Sequence, residues 1–138
     1  MSDDAAAPRT GSPRAPVELV REFCAIWEEG RFDRFGEFLA AHAVFHMLPL
    51  EPVHGLEAIT RECRKMASLG KVRVRILHMA ADGARVFTER IDVLERPDRT
   101  GELRVAGVFD VEDARIVAWR DYFDLRQALD AFGLEEAF

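Results

Sequence analysis

Arg90 and Asp92 stand two residues apart in the run FTERIDV, residues 87–93. Side chains two apart on a strand point the same way. A strand over Arg85 to Leu94 therefore aims a guanidinium and a carboxylate to one side, with Phe87, Ile91, Val93 and Glu89 on the other. A second strand-like run, AWRDYFDL, puts Trp119, Asp121 and Phe123 on one face and Arg120, Tyr122 and Asp124 on the opposite one. An aspartate between two aromatics lies in apolar surroundings, where a lone carboxylate is costly and needs a partner. Arg90 is the candidate, bridging Asp92 and Asp121. Two carboxylates around one cation can be driven to different pKa values by burial and mutual repulsion. One then donates a proton while the other accepts one, which sets a general acid and a general base in a single site. The same three residues also fit a buried ion network without chemistry, because such networks perturb pKa values too. Spacing alone leaves both readings open.

The elements that must position these groups follow from the rest of the chain. Val17, Val20, Phe23, Cys24 and Trp27 recur at helical spacing between Pro16, which suits a first turn, and Gly30, which suits a stop. Phe32, Phe35, Phe38 and Leu39 mark a second, short helix. Ala43 to Leu48 reads as a strand ended by Pro49, and PLEPVHG as a loop that exposes His54. Leu56 to Leu69 reads as a helix with Ile59, Cys63 and Met66 on its apolar side. The pattern then changes to period two. Val72, Val74, Ile76 and His78 alternate with Arg73, Arg75, Leu77 and Met79, which predicts a strand with His78 turned toward the core. AADGA and RPDRTGE bracket the FTERIDV strand as turns. Leu103 to Val111 and Ile116 to Phe123 are two further strands joined by a tight turn. Asp124, with Gln127 three residues on, predicts the cap of a last helix whose apolar side holds Leu125, Ala128, Leu129 and Phe132. Helices first and consecutive strands after them predict an α+β fold, an antiparallel sheet covered by helices on one face. Such a sheet can enclose a pocket for a small molecule.

Composition narrows the function. The chain has 138 residues and a formal charge of −6, which suits one domain over 16–138 and disfavours nucleic acid as a partner. The basic residues Arg61, Arg64, Lys65, Lys71, Arg73 and Arg75 read as a solvated helix face and strand edge. Residues 1–15 read as a disordered tail without the apolar stretch of a signal peptide. No run approaches a membrane span, so a cytoplasmic protein is expected. The two cysteines, Cys24 and Cys63, fall on apolar helix stripes and read as buried small hydrophobes. His42 and His46 are four apart, but the segment around Phe45 is extended, so they make no metal pair. No complete metal-ligand set, GxSxG, GxGxxG or P-loop is present; no metal and no cofactor are expected.

The phrases FTERIDVLER, GVFDVEDARIVAWRDYFDLRQ and FHMLPLEPVHG resemble the limonene-1,2-epoxide hydrolase family. That resemblance covers about Val17 to Phe132. It implies a cystatin-like, nuclear-transport-factor-2-like fold, shared with SnoaL-like cyclases and ketosteroid isomerases. In that fold a strongly curved, mixed, mostly antiparallel sheet and the N-terminal helices form a deep cone-shaped pocket, often in a homodimer. It further implies one-step epoxide opening without a covalent intermediate. Asp92 matches the acid that protonates the epoxide oxygen, Asp121 the base that activates water, and Arg90 the bridge. Phe45, Met47, Leu94, Trp119 and Phe123 are the expected apolar contacts to substrate.

The chain departs from the family at one point. Tyr and Asn usually stand where this sequence has Phe45 and Met47, and they help the base hold the attacking water. Neither side chain here can do so. His46 lies between them and a regular strand turns it away. Three readings follow: hydrolysis of a small apolar or terpene-like epoxide to a diol, non-hydrolytic opening by an isomerase or cyclase, and binding of an apolar ligand. The enzymatic readings require the Arg90 head group about 3 Å from both carboxylates inside a closed pocket.

Overall fold

The structure, a computed structural model, describes residues 14–135. The tail expected over 1–15 lies, up to residue 13, outside the described residues. Helix α1 runs Pro16–Glu29, followed by a 3₁₀ turn at Phe32–Glu37, strand β1 at Leu39–Leu48, strand β2 at Val53–His54 and helix α2 at Leu56–Ala67. Four long strands come next: β3 Lys71–Asp82, β4 Arg85–Arg96, β5 Arg99–Glu112 and β6 Arg115–Tyr122. Helix α3, Leu125–Phe132, ends the described fold. The strands form one curved sheet in the order β2-β1-β6-β5-β4-β3. Only β1 and β6 pair in parallel; every other neighbour is antiparallel. The fold is therefore the α+β arrangement expected. No helix among the described residues is long and apolar enough to cross a membrane.

The helices cover the concave face. Phe23 of α1 meets Phe35 and Trp119 edge-on, each with ring centroids 5.1 Å apart. Val20, Phe23, Phe35, Ile59, Phe109 and Ile116 have no measurable exposure. Burying each such side chain stabilises the fold by roughly 1.5–3 kcal/mol. Helix α1 is also tied to the β3 backbone, whose Val74 N–H donates to Glu28 Oε2 at 2.9 Å.

Several boundaries differ from the periodic reading, each for a local reason. Phe38 and Leu39 leave the helical turn, and Leu39 opens β1, because the β1–β6 register shifts between Leu39 and Val44 and admits the earlier residues to the sheet. The supposed loop before α2 contains β2, which pairs Val44 with His54 and Phe45 with Val53. The β4–β5 hairpin turns at Pro97 and Asp98 alone, so β5 starts four residues before Leu103. His78 is the clearest correction. A bulge between Ile76 and His78 inserts one residue opposite β4, and one extra residue flips every later side chain to the other face. The His78 side chain is 82% exposed, and Met79 packs against the core in its place. The six basic residues from Arg61 to Arg75 are all exposed, as expected.

Candidate active site

β4 alternates as its sequence requires. Val86, Thr88, Arg90 and Leu94 are buried on the concave side and Asp92 is partly so, whereas Phe87 faces out at 42% exposure. β5 lies between β4 and β6, and the register sets Gly107 opposite both Thr88 and Asp121. A side chain at Gly107 would occupy the place of the Arg90 Nη1 group. The missing Cβ is what lets the guanidinium lie across β5 and reach from one strand to the other.

That reach is complete. Arg90 Nε donates to Asp92 Oδ1 at 3.0 Å and Nη2 to Asp92 Oδ2 at 2.8 Å. Nη1 donates to Asp121 Oδ1 and Nη2 to Asp121 Oδ2, both at 3.1 Å. Nη1 also donates to Thr88 Oγ1 at 3.1 Å, and the Thr88 hydroxyl donates onward to the Gly107 carbonyl at 3.4 Å. A guanidinium carries five N–H groups, and all five are engaged. Burial opposes the charge on Arg90, but Asp121 and Asp92 together hold its pKa well above the ordinary arginine value. Asp121 takes a third bond, from Trp119 Nε1 at 3.0 Å. Burial pushes the Asp121 carboxyl above its ordinary value; the Arg90 charge pulls it back, and the Asp92 charge adds to the rise.

The two carboxylates open into a cavity of about 90 Å³, several times the roughly 10–15 Å³ that one water needs. Asp92, Asp121, Phe45, Met47, Leu94, Trp119 and Phe123 all line it. Arg90 is 2% exposed and sits behind them. α2 contributes Glu62, Cys63 and Met66 to the wall, and α3 contributes Leu125, Ala128, Leu129 and Phe132. Trp27, on the helical stripe of α1, borders the cavity as well. Both cysteines are buried, as expected. Burial raises the Cys24 thiol to about 12 and raises Cys63 strongly too, with the Asp121 charge adding to the effect on Cys63.

The segment that carries Phe45 and Met47 sits beside Asp121. β1 runs parallel to β6, with Phe45 opposite Trp119 and Met47 opposite Asp121. Phe45 stacks on the Trp119 indole, ring centroids 3.8 Å apart and planes 18° apart. His46 faces the other way and its Nε2 meets the Leu50 carbonyl at 2.8 Å. β1 thus brings an apolar face to Asp121.

Sequence reasoning passed over three contributors, two of them polar. Thr88 shares the face of Arg90 by the same alternation. Gly107 is a glycine inside a strand, a recognised sign of close approach. Glu62 is a charged residue one position before a buried cysteine on an amphipathic helix, and nothing in the sequence singles it out.

Residues 14–133 match the limonene-1,2-epoxide hydrolase catalytic domain. The epoxide hydrolase EphG of Mycobacterium tuberculosis (strain ATCC 25618 / H37Rv) is 31% identical over 119 residues, covering 86% of this chain and 80% of that protein. The structure of an M. tuberculosis LEH-like epoxide hydrolase superposes with a TM-score of 0.76 at 30% identity, over 85% of this chain and 88% of that one. A polyketide cyclase from Xanthomonas campestris pv. campestris, described as putative, shares the fold alone, with a TM-score of 0.76 at 21% identity over 85% and 96% of the two chains. A match over nearly the whole described chain and a relative at 31% identity converge: this protein belongs to the limonene-1,2-epoxide hydrolase family.

Proposed function

We propose that the protein hydrolyses a small, largely apolar epoxide to a diol by one-step general acid/base catalysis, without a cofactor. The observation that carries this is the Arg90 guanidinium holding Asp92 and Asp121 at 2.8–3.1 Å on the wall of an apolar cavity. The donor count supports distinct roles for the two acids. Asp121 receives three hydrogen bonds and no proton-accepting neighbour, the surroundings of an ionised carboxylate. One lone-pair site on its Oδ2 remains for water. Asp92 receives two bonds, both from Arg90, and keeps room for a proton of its own. In the forward step Asp92 gives its proton to the epoxide oxygen as the C–O bond breaks. Water forms the new C–O bond and gives its proton to Asp121. Arg90 keeps the spacing of acid and base fixed throughout, and proton exchange returns the pair to its starting state.

A second reading has its own observation. Phe45 and Met47 offer no hydrogen bond to a water beside Asp121, and His46 is turned to the Leu50 carbonyl. Opening by a hydroxyl within the substrate, or by rearrangement, needs Asp92 and Asp121 but no held water. We favour hydrolysis because Asp121 lines the cavity and its Oδ2 accepts only one hydrogen bond, from Arg90. A homodimer is the proposed assembly, supported by the outer sheet face, where Phe87 and Tyr122 are exposed.

Incubation with cyclic and terpene epoxides in water enriched in heavy oxygen tests the reading. A labelled diol from the wild type, reduced at least about 10³-fold in Asp92→Asn and Asp121→Asn, is the expected result. An unlabelled rearranged product would replace hydrolysis with the isomerase or cyclase reading. Full diol formation by either variant would reject the acid/base assignment.

A further inference from the structure

The cavity wall holds a third carboxylate that the proposed chemistry does not use. Glu62 of α2 lines the same cavity as Asp92 and Asp121. Its Oε1 lies 3.5 Å from the Lys65 ammonium at the helix surface. Its Oε2 is shielded and has no hydrogen-bond partner among the described residues, although the side chain as a whole is 25% exposed. A buried acceptor left unpaired is costly, and the cost is relieved only when a donor reaches it. Cys63, Met66 and apolar side chains of β5 and α3 line the same cavity.

The charges facing the cavity are one-sided. Glu62, Asp92 and Asp121 line it, and among the described residues no lysine, arginine or histidine does. Arg90 stands behind the two aspartates with every N–H engaged. An anionic ligand would therefore face the Glu62 and Asp121 carboxylates, with the Asp92 proton as its one donor. A pure hydrocarbon would leave Glu62 Oε2 buried and unpaired. A ligand whose apolar body carries a hydrogen-bond donor at the end away from the oxirane would satisfy both walls.

We infer that Glu62 is a specificity-determining residue, which selects epoxides bearing a hydroxyl or ammonium group remote from the oxirane and rejects epoxides bearing a carboxylate. The oxirane end of this assignment rests on the epoxide-opening reading; the donor end rests on Glu62 and the cavity alone. The two are separated by measuring binding and turnover on different ligands. Affinity is read from tryptophan fluorescence with unreactive cyclohexanes bearing a hydroxymethyl, an aminomethyl, an ethyl or a carboxylate group. Turnover is read with the corresponding epoxycyclohexanes bearing hydroxymethyl, ethyl and carboxylate groups.

The wild type is expected to bind the hydroxymethyl and aminomethyl compounds about tenfold or more tightly than the ethyl compound, and the carboxylate most weakly. In Glu62→Leu the ethyl compound becomes the preferred ligand. In Glu62→Gln, which keeps an acceptor without the charge, the hydroxymethyl preference survives and the aminomethyl preference falls. The kcat/KM ratio of hydroxymethyl to ethyl epoxide follows the affinity ratio. An unchanged order in Glu62→Leu, or wild-type affinity for the carboxylate equal to that for the hydroxymethyl compound, overturns the inference. So does an equal loss of turnover on every epoxide with the affinity order intact, which would make Glu62 a holder of water. The expected affinity order without any epoxide opening would uphold the role of Glu62 and reject the hydrolase reading instead.

Discussion

Arg90 spends all its donors on its neighbours, so it has none left for a ligand and holds Asp92 and Asp121 at a fixed distance. The support for that posture is Gly107. A Cβ there would collide with Arg90 Nη1 and stand 2.9 Å from both Asp121 Oδ1 and Thr88 Oγ1. Gly107→Ala is expected to keep the far-ultraviolet circular dichroism of the fold and to lower kcat by about 10²-fold, the scale on which a misplacement near 1 Å acts. The acid limb of the pH profile carries a second expectation. Asp121 must be ionised to accept a proton, and burial raises its pKa above the ordinary 3.8. The limb of kcat/KM should therefore lie above that of an exposed aspartate, with the inflection belonging to the coupled pair. The same shift has a sign for stability: a raised folded pKa contributes stability that is full below 3.8 and is lost as pH rises through the folded value. A pH series of chemical denaturation, wild type against Asp121→Asn, reads this directly. The triad was legible in the sequence because alternation is a local rule and Asp121 between two aromatics demanded a partner. Thr88, the Trp119 N–H and the space at Gly107 were not, because their roles depend on distances between strands.

α3 shows how a short element is held. It has eight residues, too few to persist alone. Asp124 accepts the Gln127 N–H at 2.9 Å, as its sequence predicts. At the other end Arg96 Nη1 donates to the Phe132 carbonyl at 2.8 Å and Arg99 Nη1 to the Asp130 carbonyl at 2.9 Å. These bonds satisfy carbonyls that a helix end leaves open and set cations at the negative end of the dipole. Asp124→Ala should cost about 1 kcal/mol in chemical denaturation and weaken ligand binding, since α3 forms one cavity wall. Caps and helix stripes belong to single segments, which is why the α1 and α3 boundaries could be read in advance. The β3 bulge and the two-residue β2 could not. A bulge carries no residue signature here, and two residues show no period. The sequence therefore assigned His78 to the face that the extra residue turned outward.

At the scale of the whole molecule the parallel pairing of β1 with β6 joins the first strand to the last. Periodicity gives no sign of it, because it is made by residues some 75 positions apart, as in Phe45 opposite Trp119. It sets Phe45 opposite Trp119 and Met47 opposite Asp121, and the resemblance to a family anticipated what the pattern could not. The outer face of the same sheet exposes Phe87 at 42% and Tyr122 at 46%, with Leu77 at 39% on β3. Sedimentation is expected to give twice the 15.6 kDa chain mass, and Phe87→Glu to give a single chain. The triad and cavity lie within one chain, so that variant should retain turnover.

Cys63 sits in a wall that an alkylating agent must pass. An oxirane is electrophilic, and a thiolate beside it would open the ring and stay covalently marked. Burial and the Asp121 charge keep this sulfur protonated, and a thiol is a poor nucleophile where a thiolate is a good one. The same environment that raises the basicity of Asp121 therefore protects the protein from its own substrate. Its intact mass should be unchanged after many turnovers.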